Sequence, residues 1–131
     1  VTEGEAPLVL TQRDIRQVQL AKGALSSGVA ALLARHGLGA ADVDRVLVAG
    51  QFGAHLPAAS LTGCGILPPI LGDKVDYCGN TSQSGASLAL LRRDARREME
   101  ALAREVRSFD LSRLDGFDRL FADSLRFPGP A

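Results

Sequence analysis

The sequence predicts an α/β domain, and three features carry that reading. A helix-period apolar pattern runs through residues 12–36. Two short apolar runs, Arg45–Ala49 and Lys74–Cys78, each end in a glycine turn that feeds a further helix. The resulting order of helix, strand, helix, strand, helix, helix gives parallel-type strands flanked by helices. With 131 residues, 46% of them hydrophobic and 23% charged, the chain has the size and make-up of a single folded domain.

Taken in order, Glu5–Leu10 reads as a short entering strand. Thr11 with Asp14 three residues on forms a capping-box signature for a long helix. Ile15, Val18, Leu25, Val29, Leu32 and Leu33 recur on one helical face, and Leu20, Ala24, Gly28 and Ala31 form a small-residue stripe beside it. This helix, Gln12–His36, is expected to pack on the sheet. Gly23 and Gly28 each weaken a helix by about 1 kcal/mol relative to Ala, so a close neighbour is expected on that face. Gly37 suits the C-terminal cap. Val46–Ala49 shows no polar alternation, as in a strand buried on both faces of a parallel sheet. Pro57 opens a short helix that ends near Gly63. The second strand, Lys74–Cys78, leads through Gly79-Asn80 into a helix containing Ser84–Leu91. A charged helix, Asp94 to Val106, and an amphipathic end carrying Phe117, Leu120, Phe121, Leu125 and Phe127 complete the chain.

Composition excludes several function classes. Fifteen basic residues balance fifteen acidic ones, so no single-signed field points to nucleic acid or to a membrane surface. Aromatic residues are 5% of the chain, too few for base-stacking platforms. No apolar run approaches the ~18 residues of a membrane span, and no secretory signal pattern is visible, so a cytoplasmic location is expected. Cys64 and Cys78 are far apart and fit two small thiols, buried or half-buried, in a reducing compartment. They cannot supply the four thiolates of a plant-type iron–sulfur cluster. The first residue is Val, and the chain is expected to be the C-terminal portion of a longer multidomain protein.

The two strand ends carry the candidate site. Ligands of open parallel sheets bind where strands finish and helices begin. Gly50, Gln51 and Gly53 follow the first strand, and Gly79 and Asn80 the second; Gly85 lies in the helix beyond. Glycines there allow a sharp turn and close backbone approach to a ligand, although a glycine turn after a buried strand is equally a structural device. Asn80 can cap the helix or bond a ligand. His55 follows the first turn, where a solvent-exposed loop residue is the simpler reading. Lys22 can reach a phosphate or pair with a neighbouring acid. The chain has neither a P-loop nor a Rossmann glycine pattern, and no nucleophile with a partner base. No catalytic or metal-ligating residue is assigned.

Asp42–Gly50 followed by a polar residue and a second turn resembles the adenosine motif of the actin, sugar-kinase and heat-shock-chaperone superfamily, with Ala49 in place of the first glycine of the usual pair. Ser84–Ala89 is similar to the small-residue helix of the same subdomain. A closer likeness joins Thr11–Ile15, Gln19–Ala24, Ala49–Gly53, Gly65–Pro68, Gly79-Asn80 and Gly85-Ala86 in one order. These segments resemble the C-terminal ATPase-like domain of ferredoxin-like corrinoid-activating proteins, from about Thr11 to Phe127.

The resemblance implies a partial actin-like, ribonuclease H-like ATPase subdomain that supplies the adenosine side of a cleft. It implies ATP with Mg²⁺ as the cofactor of the whole protein and a [2Fe–2S] cluster in an N-terminal domain outside this chain. The expected task is ATP-dependent return of Co(II) corrinoid to Co(I), with a corrinoid protein or corrinoid-dependent methyltransferase as partner and a homodimer as one assembly. The phosphate loops, the metal-positioning acid and the cluster cysteines of such a protein are not in this sequence. Two other readings stand beside it. One is an activator of the 2-hydroxyacyl dehydratase type, which needs cluster cysteines near its ATPase core. The other is a docking or dimerisation module whose glycine turns are structural.

Overall fold

The computed structural model describes residues 8–50 and 53–129. Helix α1, Gln12–Arg35, begins at Thr11, whose hydroxyl accepts from the Asp14 N–H while the Asp14 carboxylate accepts from Thr11. It ends on Gly37, at φ +66°, with the N–H of Leu38 reaching back to Leu33 and that of Gly37 to Ala34. This closes orphan carbonyls of the last turn, as the sequence predicts. A 3-10 turn, Ala40–Asp42, leads to β1, Val46–Ala49. A second 3-10 turn, Gly53–His55, precedes α2, Ala58–Gly63; a third, Pro69–Lys74, precedes β2, Val75–Gly79. Helices α3, Thr81–Leu91, and α4, Arg93–Glu105, form a hairpin, and a 3-10 turn at Leu111–Arg113 leads to α5, Phe117–Ser124.

The strands β1 and β2 are parallel, pairing Val46 with Val75, Leu47 with Asp76 and Val48 with Tyr77. The register then shifts, so that Ala49 pairs with Gly79 and Cys78 is passed over. Leu61, Leu67 and Leu71 form the main core, packed with Val43, Val46, Val48, Leu56, Ile66 and Val75. The core lies on one face of the sheet only. Leu47, on the other face, is 60% exposed. Burial on both faces, which the unalternating sequence predicts, is therefore not found: among the described residues no layer covers the outer face.

Three further expectations are corrected. Leu8–Leu10 form no strand, and the rest of the Glu5–Leu10 segment, up to Pro7, lies outside the described residues. The chief partner of α1 is α5, not the sheet. The face that α1 buries is not its leucine stripe but Lys22, Gly23, Ser27 and Ala31, while Val18, Leu25 and Leu32 remain exposed. Small residues win because they let α5 approach closely. A Cβ on Gly23 would lie 2.8 Å from Leu125 Cδ2, and one on Gly28 would lie 3.7 Å from Leu111 Cδ1. The close neighbour expected at these glycines is thus the C-terminal part of the chain.

The α3–α4 hairpin is held at its bend. Arg92 separates the two helices in extended conformation, and the Arg96 guanidinium donates to the Ala89 carbonyl at 2.8 and 3.1 Å. A cation on the carbonyl end of α3 satisfies groups that the helix leaves open. Among the described residues no helix is long and apolar enough to cross a membrane.

Candidate functional site

The two glycine turns meet. The Gly50 N–H donates to the Gly79 carbonyl at 2.8 Å, so the ends of β1 and β2 are tied directly to each other. Both glycines have positive φ, +95° for Gly50 and +63° for Gly79, a conformation that residues with a side chain rarely adopt. Among the described residues, chain neighbours aside, no atom lies within 4 Å of the position a Cβ would take on either. The turn chemistry is therefore required by the backbone, and the space above it is open.

Gly53 is held differently. A Cβ there would lie 2.6 Å from Val48 Cγ1, so this glycine is needed for packing of the 3-10 turn against β1. The same turn packs on both strands, and the Tyr77 hydroxyl donates to the Leu56 carbonyl just beyond it. Tyr77 is a positioning residue that sequence reasoning passed over. Its signal was a lone Tyr in an apolar strand, which needs a partner for its hydroxyl. Gln51 lies outside the described residues.

Asn80 is the N-cap of α3. Its side-chain oxygen accepts from the Gln83 N–H at 3.1 Å, and its amide donates to Gln83 Oε1 at 3.4 Å. Capping, one of the two roles open from the sequence, thus occupies the side chain. Gly85 lies one turn into α3, half-buried, with nothing within 4 Å of its Cβ position. A glycine inside a helix, with neither a positive φ nor a packed neighbour, has no reason within this chain.

The fold thus brings Gly50, Gly53, Gly79 and Asn80 to one end of the sheet, with Gly85 on the helix that leaves it. One detail departs from expectation. The Gly50 N–H is directed at Gly79 and not into open space. The donors left for a ligand are those of the first turn of α3, where a helix leaves N–H groups without intrahelical acceptors. Asn80 takes one of them. Among the described residues no side chain fills the space beside Gly50, Gly79 and Gly85.

Of the remaining candidates, His55 and Cys78 adjoin this arrangement, whereas Lys22 lies apart from it. His55 is exposed in its 3-10 turn. Cys64 is half-buried and Cys78, in the shifted register at the end of β2, is exposed; both are free thiols. The expectation of two buried or half-buried thiols therefore holds for Cys64 alone. Among the described residues no three His, Cys, Asp or Glu side chains come close enough to hold a metal ion. The two thiols do not fit an iron–sulfur cluster. Lys22 is buried against the C-terminal segment, where it donates to the Arg126 carbonyl. A cleft of about 610 Å³ also lies there and is not lined by the glycine turns at the strand ends.

Comparison with known proteins identifies the family of the chain. The family described as the C-terminal domain of RACo, the ASKHA domain, matches residues 1–130. A corrinoid activation enzyme, RamQ, of Eubacterium limosum is 34% identical over 116 residues, which are 86% of this chain and 20% of that protein. A solved structure of a reductive activator for a corrinoid, iron–sulfur protein superposes with a TM-score of 0.83 at 36% identity. It covers 91% of this chain and 19% of its own. The chain thus spans about a fifth of the length of these relatives.

Proposed function

Because the chain belongs to the family of C-terminal ASKHA domains of RACo, we propose that it serves a reductive activator of corrinoid proteins, as one wall of that activator's nucleotide cleft. The proposal extends to the whole protein: it is ATP-dependent, it returns Co(II) corrinoid to Co(I), and its partner is a corrinoid protein. A relative whose name gives corrinoid activation and another named for a corrinoid, iron–sulfur protein support that task. The observation that carries the nucleotide reading is the open space over Gly50, Gly79 and Gly85 at the ends of two parallel strands.

In this reading the chain binds and does not turn over. Gly50 and Gly79 form the floor, Gly85 lets a planar base or a ribose lie against α3, and the first-turn N–H groups of α3 face the ligand's acceptors. Asn80 and Tyr77 hold these parts in place. Bound ATP would supply differential affinity for a closed arrangement of two lobes, the only means by which a ligand can shift an unfavourable equilibrium. Gln51 is proposed as part of the same wall. Mg²⁺ and a [2Fe–2S] cluster belong, in this proposal, to segments outside the chain, and so do the groups that transfer the phosphoryl and the electron.

The test is Gly85→Leu in the full-length protein. Leucine is a good helix former and has open space to enter, so the melting temperature should hold or rise. ATP affinity, measured by calorimetry, should fall by at least about tenfold as the side chain fills the groove. Unchanged ATP affinity in the folded variant would remove Gly85 from the site.

A further inference from the structure

The cleft beside Lys22 lies at the opposite end of the sheet from the glycine turns. Its walls include Leu38–Ala40, which precede β1, and Ile66–Pro69, which precede β2; one side of α1 and the segment Asp123–Pro128 close it. At about 610 Å³ it has the size of a small-molecule pocket, and the nucleotide reading makes no use of it.

Lys22 is the unusual group in its wall. Only 3% exposed, its Nζ donates to the Arg126 carbonyl and lies 5.6 Å from the centre of the Phe127 ring. An ammonium carries three donors. The ion pairs among the described residues are Arg45–Asp76, Arg92–Asp94 and Arg113–Asp110, and Lys22 is in none of them. Among the described residues no carboxylate pairs with this buried cation, which faces a carbonyl and a ring. Two of the three hydroxyl residues in the wall, Ser26 and Thr62, are already committed. Ser26 donates to the Gly23 carbonyl at 3.4 Å and Thr62 to the Ala58 carbonyl at 3.2 Å. Two exposed charges of opposite sign, Asp123 and Arg126, also border the cleft.

We propose that this cleft binds a small monocarboxylate with an apolar body. Its carboxylate meets Lys22, and its hydrocarbon part lies along Val29, Leu33, Ile66 and Leu67. A phosphate fits less well. It brings more charge than one buried ammonium can meet.

Calorimetry on the full-length protein tests this with hexanoate and its uncharged counterpart, hexanamide. Hexanoate should saturate, and hexanamide should bind at least about tenfold more weakly, since a charge-assisted bond is lost. Lys22→Met should weaken hexanoate by a similar factor. Because that change also strips the Arg126 carbonyl of its donor, Ala34→Phe serves as the second variant. Ala34 is an exposed helix position on the cleft wall, so Phe there leaves Lys22 in place, fills the cleft and should abolish hexanoate binding. ATP affinity should be unchanged in both variants. Absence of saturation by hexanoate, equal binding of the two probes, or undiminished binding by Ala34→Phe would overturn the proposal. A matching loss of ATP affinity would overturn the separateness of the two ends.

Discussion

At the scale of single residues, the same amino acid serves different ends in different places. Leu71 is 1% exposed and sits at the centre of a small core, so Leu71→Ala should cost about 2–5 kcal/mol, read as a drop in chemical-denaturation midpoint. Asn80→Ala should cost about 1 kcal/mol through loss of the α3 cap. The exposed carboxylates give a pH signature. Bonds from Thr11 hold Asp14 below the ordinary carboxylate value, and bonds from Ser112 do the same for Asp110, in each case the hydroxyl before the backbone N–H. The Arg92 guanidinium lowers Asp94 in the same way. A carboxylate whose pKa is depressed on folding stabilises the fold above its unfolded pKa, and that contribution disappears as pH falls through the folded one. Helicity should therefore be flat from neutral pH to about pH 5 and decline below about pH 4. Thr11→Val should shift the loss at the start of α1 to higher pH, which amide exchange in that turn would detect.

At the scale of elements, the contact of α1 with α5 separates two glycines that look alike in the sequence. A Cβ on Gly23 would meet Leu125 at 2.8 Å, whereas one on Gly28 would meet Leu111 at an ordinary 3.7 Å. Gly23→Val should destabilise by about 1–3 kcal/mol through overpacking, with partial recovery when Leu125→Ala is added. Gly28→Ala should be tolerated and should gain up to about 1 kcal/mol of helix propensity. Thermal melts of the three variants decide the matter, and a loss in Gly28→Ala equal to that in Gly23→Val would contradict the packing described. The glycine turns behave as a unit for a similar reason. Gly50 and Gly79 share a hydrogen bond and both require positive φ, so Gly50→Val strains the turn itself. It should lower ATP affinity more than it lowers the melting temperature of the unliganded protein.

At the scale of the whole molecule, the chain is short of partners. Leu47, Leu90, Leu91 and Val106 are 60%, 80%, 84% and 75% exposed. A two-stranded parallel sheet with one bare face is also not a form that stands by itself, since parallel sheets are covered on both sides. We therefore expect the isolated chain to bind a hydrophobic dye and to self-associate in sedimentation, and Leu47→Lys to reduce both. It should release no phosphate from ATP above background, because phosphoryl transfer depends on positioned charges that the proposed function assigns to other segments of the protein. Turnover that is lost on changing residues of this chain would refute that expectation.

Local rules written in the sequence determined much of this protein. The capping box at Thr11 and Asp14, the C-terminal Gly37 and the glycine ends of both strands depend on residues a few positions apart, and each falls where those residues place it. The order of elements follows from them, and the motifs they carry point to the family. What surrounds each element was decided only by the tertiary structure. Periodicity shows that α1 has an apolar face and a small-residue face, but not which one is buried. Close approach of Leu125 to Gly23 selects a third face, Lys22, Gly23, Ser27 and Ala31, which shares only Ala31 with the small-residue stripe. An unalternating strand states a need for two covered faces, yet the described residues furnish one. Lys22 and Arg126 are 104 positions apart, and no spacing rule reaches that far. Their contact, and the cleft beside it, exist because α5 folds back on α1.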